Sequence, residues 1–250
     1  DELFGGYPWR YYRATACDNF EDYIDKYYQF WQRLIDNRDI KKVFQPVWPE
    51  VKHIWTRDIF RDVFTNHNNE LKTPEDYINH SLYFECKTFL QGLLLVEDKL
   101  SMAHSLETRV PFLDNDLVDF AMSCPLNLKL NNLKNVIRLN ENDFGRKTNK
   151  FFKKTKDGKQ ILRNVMSNFI PNEITSSEKQ GFSSPDSSWF KGESINFVKK
   201  VLYQGDPLIY NFMDKKSILS LVDQHLNGKE NRRLLIWSLL NTEAYFQEIL

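Results

Sequence analysis

At 250 residues, with 41% hydrophobic and 27% charged positions, the chain is long enough for a real core and too apolar to be disordered. Thirty-four basic residues balance thirty-four acidic ones, and that zero net charge argues against a dedicated nucleic-acid binder. Cys17, Cys86 and Cys124 are widely spaced with no CxxC pair, and no apolar run approaches about 18 residues; a disulfide framework and a membrane span are disfavoured, and a reducing cytoplasmic setting is favoured.

The chain opens DELFGGYPWRYYR, two carboxylates and a Gly5-Gly6 turn among five aromatics. Glycines there permit backbone angles that other residues avoid, so a tight loop is expected. An opening on Asp1 rather than Met reads as a piece of something larger. Asp18 is expected to cap a helix to about Asn37, with Phe20, Ile24, Tyr27, Trp31 and Leu34 on one face. After a turn at Pro46 and Pro49, Thr56 caps a short helix to about Phe64, and Thr73-Pro74-Glu75 starts a long one.

In that long helix Leu82, Cys86, Phe89, Leu93, Val96, Leu100 and Ala103 recur at steps of four and three, with Leu90 and Leu94 widening the stripe. The spacing predicts a buried face that spans roughly 30 Å. Just past it stand Glu107, Arg109 and Asp114, around Pro111 and Phe112. A short helix over Leu117–Met122 follows, ending before Pro125. From Asn131 to Lys156 the chain is irregular, and Arg146, Lys147, Lys150, Lys153, Lys154, Lys156 and Lys159 cluster with only Asp157 opposing. Such a cluster reads as a solvated surface loop or as an anion patch, and the zero net charge favours the former. Further helices are expected over Gln160–Phe169, Phe190–Tyr203, Asp214–Leu226 and Arg232–Ile249, with a Ser-rich loop over Ser176–Trp189. No convincing strand pattern or internal repeat is present, so the fold class is mostly α.

Several chemistries lack their residues. The histidines at 53, 67, 80, 104 and 225 form no HxxxH or HExxH pair, and there is no GxSxG or GxxxxGK[ST] motif. Three charged groups remain. Asp1 and Glu2, held by a glycine turn, could offer hard oxygen ligands to Mg²⁺, or stand as a solvated chain start. Glu107 and Arg109, two apart, would share one side of an extended backbone, as a site pair or a structural ion pair. Lys179, just before Gly181, could meet a phosphate or a developing anion, or lie on the surface.

The order DELFGGYP, DKLSMAHSLETRVPFLD, GKQILR, IPNEI and EKQGFSSP resembles the later part of the synthetase domain of glutamine-hydrolysing asparagine synthetases, from Asp1 to about Trp189. The resemblance implies that residues 1–250 are the helical carboxy-terminal portion of an α/β, ATP-pyrophosphatase-like synthetase domain. It implies a cytoplasmic ligase using ATP and Mg²⁺, which converts aspartate through an aspartyl-adenylate with ammonia drawn from glutamine. Its partners would be those small molecules, with no nucleic acid and no membrane; a homodimer stays open. The resemblance gives Asp1 to the metal and pyrophosphate and Lys179 to charge stabilisation as the adenylate forms. Glu2, Asp98, Glu107 and Arg109 support the ATP site, with Asp114 as a brace and Lys99 beside Asp98 facing the cleft. The family's SGGxDS loop, the Gly-Glu-Gly before the acidic pair and the glutaminase cysteine are not among these residues. The basic insert is longer than the shortest family members need, and the piece alone is expected to be inactive. Two alternatives remain: a helical partner-binding or regulatory domain without chemistry, and a related enzyme with another carboxylate acceptor, β-lactam synthetase-like or amidating a cell-surface sugar acid.

Overall fold

The structure, a computed structural model, describes residues 1–8, 10–11, 17–32, 34–66, 70–131, 157–177, 190, 192 and 194–249. All regular structure among them is helical, with no strand. In chain order the helices are α1 (Phe20–Trp31), α2 (Asn37–Val43), α3 (Trp48–Val51), α4 (Thr56–Asp62), α5 (Pro74–Glu85), α6 (Gln91–Ala103), α7 (Asn115–Ser123), α8 (Gln160–Met166), α9 (Asn172–Thr175), α10 (Ser194–Leu202), α11 (Lys215–Leu226) and α12 (Arg233–Ile249). The chain divides into two compact units: residues 1–27 with 60–180, and residues 28–59 with 181–250.

The first unit is built on α5. Its start is doubly fixed, because the Thr73 hydroxyl accepts from the Asp76 N–H while the Asp76 carboxylate accepts from the Thr73 N–H, with Pro74 in the first turn. Against α5 packs an aromatic group in which Tyr23, Tyr27, Phe60, Phe64 and Phe84 are buried. Tyr23 stacks on Tyr27 at 5.3 Å between centroids, and Phe60 meets Phe84 at 4.3 Å. Each such ring buries a large apolar area, so this group dominates the unit's core. A second layer joins Tyr11, Ile78, Leu82, Leu126 and Leu130, and a third joins Leu3 and Phe4 to Ala121 of α7.

Between α5 and α6 the backbone widens into a π turn over Cys86–Leu90, without breaking the helix. The apolar stripe divides there because little packs against α6, of whose residues Ser101 alone is buried. Leu82 is buried, whereas Leu93, Val96 and Leu100 are 48%, 58% and 62% exposed. The expected single buried face is therefore corrected: Leu82 lies in the core, Cys86, Phe89 and Leu90 are half-buried, and Leu93, Val96 and Leu100 are exposed.

Helix α1 also ends sooner than its pattern suggested, at Trp31, and Asn37 opens α2 instead of closing α1. Asn19 rather than Asp18 takes the cap position, its Oδ1 accepting from the Asp22 N–H at 3.0 Å. Asp114 caps α7 by accepting from the N–H groups of Asp116 and Leu117.

The second unit packs α10, α11 and α12 with Val43 of α2 around Val198, Leu202, Ile209, Ile218, Val222, Ile236 and Leu239. Asp214 caps α11 through the Ser217 N–H, and its own N–H donates to the Val43 carbonyl at 2.7 Å. Glu243 of α12 is buried, and its carboxylate accepts from the N–H groups of Leu208 and Ile209. The basic insert over residues 132–156 lies outside the described residues.

Candidate active site

The opening acidic pair folds into a tight turn within the first unit. The Gly6 N–H donates to the Asp1 carbonyl at 2.7 Å, and Gly5 takes a φ of +69°. A side chain at Gly6 would place a Cβ 2.2 Å from Asp1 Oδ1, so only glycine lets the turn close on the carboxylate. Leu3 and Phe4, both buried, anchor it to the core. Glu2 is buried too and accepts from the Tyr7 hydroxyl at 3.0 Å. Burial, with the Glu2 carboxylate beside it, raises the Tyr7 hydroxyl well above the ordinary tyrosine value.

A second turn, residues 157–160, meets the first. The Lys159 N–H donates to the Phe4 carbonyl at 2.9 Å, and the Gln160 N–H donates to the Lys129 carbonyl at 3.2 Å. Gly158 has a φ of +88°, and a Cβ there would lie 2.5 Å from the Gly5 carbonyl oxygen. Lys159 itself stands in the left-handed region at φ +56°. The result of this unusual backbone is that the Lys159 ammonium pairs with the Asp1 carboxylate. Burial pulls the Lys159 ammonium below the ordinary lysine value, against Glu2, which raises it. Asp157, buried, accepts at 2.7 Å from each of the Asn131 and Gly158 N–H groups and so closes the base of the insert.

A third feature supports the segment that follows the turn. Glu85, fully buried at the end of α5, accepts from Arg10 Nη1 at 3.1 Å, the Tyr11 hydroxyl at 2.7 Å and the Tyr27 hydroxyl at 3.1 Å. Burial pushes its carboxyl above the usual range, opposed chiefly by the Arg10 guanidinium. Arg10 lies over the Tyr7 ring at 4.0 Å. Next to Glu85, Cys86 has its thiol pushed up to about 11 by burial and by Glu2 and Glu85. Lys129 is almost fully buried, and burial lowers its ammonium against the Cys124 and Cys86 thiols.

Of the residues singled out from sequence, the structure brings Asp1 and Glu2 together in one turn. Asp98 is exposed on α6, where its carbonyl accepts from the Ser101 hydroxyl at 3.1 Å. Glu107 and Arg109 form an exposed ion pair at 2.5 Å. Lys179 lies outside the described residues. Sequence reasoning missed Lys159 and Glu85 as site residues. In the sequence Lys159 stands within the basic cluster, and only the GKQILR motif sets its segment apart. Asp157, read as opposing that cluster, is instead a buried acceptor for backbone N–H groups.

Among the described residues no group of three or more His, Cys, Asp or Glu side chains could hold a metal. Mg²⁺ commonly takes only one or two carboxylates and completes its shell with water and phosphate oxygens. Asp1, with a partly exposed side chain, fits that sparse requirement, whereas Glu2 is turned into the protein toward Tyr7.

A family profile described as asparagine synthase matches residues 1–249. Asparagine synthetase [glutamine-hydrolyzing] 1 of Bacillus subtilis is 29% identical over 193 residues, covering 76% of this chain and 26% of the relative. Asparagine synthetase [glutamine-hydrolyzing] 3 of the same organism is 23% identical over 231 residues, covering 89% of this chain and 31% of the relative. The amidase chry2 of Gibberella zeae is 24% identical over 159 residues, covering 63% and 21%. The chain thus spans only about a fifth to a third of the length of these relatives. No solved structure shows a significant match.

Proposed function

The chain belongs to the asparagine synthase family, and from that premise we propose that residues 1–250 are the carboxy-terminal, helical part of the synthetase domain of an ATP-dependent amide ligase. The substrate carboxylate attacks the α-phosphorus of ATP, and the P–O bond to pyrophosphate breaks. Ammonia then attacks the acyl carbon of the adenylate, AMP leaves with the bond electrons, and the nitrogen sheds a proton to give the amide. Aspartate is the proposed acceptor, with glutamine as the source of ammonia.

The observation that carries this reading is the acidic turn with Lys159 paired to Asp1. A carboxylate and an ammonium fixed on two interlocked glycine turns make a preorganised site for a phosphate group and its cation. Asp1 would supply one hard oxygen to Mg²⁺, which neutralises phosphate charge when bound. Lys159 holds a positive charge where pyrophosphate would depart, and Lys179 is proposed as the second cation, acting as the adenylate forms. Glu2 and Glu85 keep the turn and its following segment in place, through Tyr7 and through Arg10 and Tyr11. Asp98, Glu107 and Arg109 remain proposed supports of the ATP site.

In the full-length polypeptide, Lys179→Ala is expected to abolish amide synthesis while leaving glutamine hydrolysis intact. Normal asparagine formation by that variant would overturn the assignment. The 250 residues alone contain no SGGxDS loop and are expected to make no amide from ATP, aspartate and ammonia. The similarity to an enzyme named as an amidase supports a second reading, in which the same adenylation serves another carboxylate. A carboxylate other than aspartate that drives pyrophosphate release more efficiently would favour it.

A further inference from the structure

We infer that Arg163 is a positioning residue, which ties the Gly158–Lys159 turn to the Thr175–Ser177 segment and so holds the Lys159 ammonium at Asp1. This rests on the amide-ligase reading above. The guanidinium makes three hydrogen bonds to backbone carbonyls: Nε donates to Gly158 at 3.1 Å, and Nη1 donates to Thr175 at 2.5 Å and to Ser177 at 3.0 Å. The Arg163 N–H also donates to the Lys159 carbonyl at 2.9 Å. One residue therefore grips the second glycine turn from both its backbone and its side chain.

The chemistry of the grip suits arginine. Its donors lie in a rigid plane and point in several directions, so one side chain can bridge two separate segments. Helix α8 has seven residues and α9 four, too short to hold their own relative places without such a link. The Thr175 carbonyl is at the end of α9, where no further turn of helix satisfies it. Ser177 is held a second way, its hydroxyl donating to the Ile174 carbonyl at 2.7 Å. Arg163 thus fixes the turn that carries Lys159 to Asp1 against the end of α9. It need not touch substrate to govern where the Lys159 ammonium stands.

The test uses the full-length polypeptide, aspartate-dependent ATP–pyrophosphate exchange as readout, and Arg163→Met beside Arg163→Lys. Arg163→Met is expected to lower kcat between about ten- and hundredfold, the scale of a misplaced catalytic group, with KM for ATP within about threefold of wild type. Arg163→Lys, which can still reach one or two of the carbonyls, is expected to recover part of the loss. A rate per folded molecule within about twofold of wild type would overturn the inference. So would a fall in kcat matched by an equal rise in KM without recovery by lysine, which marks general loss of the site. Should Arg163→Met fail to fold, Arg163→Gln takes its place against Arg163→Lys under the same criteria. Wild-type exchange with an unimpaired variant refutes this inference alone, whereas no wild-type exchange with any carboxylate refutes the amide-ligase reading and this inference with it.

Discussion

Gly158→Ala against Gly205→Ala separates backbone strain from steric collision. Both glycines have a φ of +88°, so alanine meets a conformational penalty of about 1–2 kcal/mol at each. Around Gly205 a Cβ would have nothing within 4 Å. At Gly158 the Cβ would lie 2.5 Å from the Gly5 carbonyl oxygen and 3.0 Å from Pro8 Cγ. The first neighbour is backbone and the second a ring, so neither can rotate aside. Relief requires the two turns to separate by about half an ångström or more, which costs a further 1–3 kcal/mol or so on the scale of overpacked sites. The same movement would loosen the Lys159 N–H to Phe4 carbonyl bond, 2.9 Å long, and draw Lys159 away from Asp1. Urea unfolding of the two variants should show Gly158→Ala less stable than Gly205→Ala by about 1–3 kcal/mol. Equal destabilisation, within about 0.5 kcal/mol, would refute the interlocked-turn geometry.

Lys129→Met is expected to raise the unfolding midpoint at neutral pH, because burial holds the Lys129 ammonium below its unfolded value of 10.5. Between the lowered folded value and 10.5 the unfolded chain binds more protons, so this lysine's contribution makes stability rise with pH. The advantage of the methionine variant should therefore shrink as pH climbs toward 10.5, and an advantage that grows with pH would contradict the assignment. Glu243→Ala leaves the part-buried Leu208 and the buried Ile209 N–H groups without their carboxylate and is expected to cost about 3 kcal/mol in urea unfolding, with a loss under about 1 kcal/mol contradicting that role. Replacing the 25 residues 132–156 by a Gly/Ser linker of about six should keep or raise stability by about 1 kcal/mol of closure entropy, since Asp157 already bonds the Asn131 N–H. A large fall in the unfolding midpoint would show that the insert contributes packing.

The helical class and most helix starts were legible in the sequence because they depend on neighbouring residues. Thr73-Pro74 and Asp214 announce their helices through local hydrogen bonds, and Pro125 follows the end of α7. Helix α2 was not legible, since NRDIKKV has only Ile40 and Val43 as apolar positions and its stability comes from packing of Val43 in the second unit. The stripe after Leu90 misled because periodicity reports a face, not what lies against it, and little lies against α6. At the candidate site, the Asp1–Gly6 turn could be read from its glycines. Lys159 could not: its place depends on a positive φ, a neighbouring glycine and a carbonyl at Phe4, far away in sequence. Glu85 was equally hidden, as its partners Arg10, Tyr11 and Tyr27 come from segments that meet only in the fold.

The central claim, that the acidic turn with Lys159 is the pyrophosphate end of an adenylating site, is tested most directly by ATP–pyrophosphate exchange in the full-length polypeptide. Exchange should require aspartate or a competing carboxylate, and Asp1→Asn and Lys159→Met should each reduce it by about a hundredfold, as expected for loss of a preorganised charge. Full exchange in both variants, or none in the wild type with any carboxylate, would contradict the account.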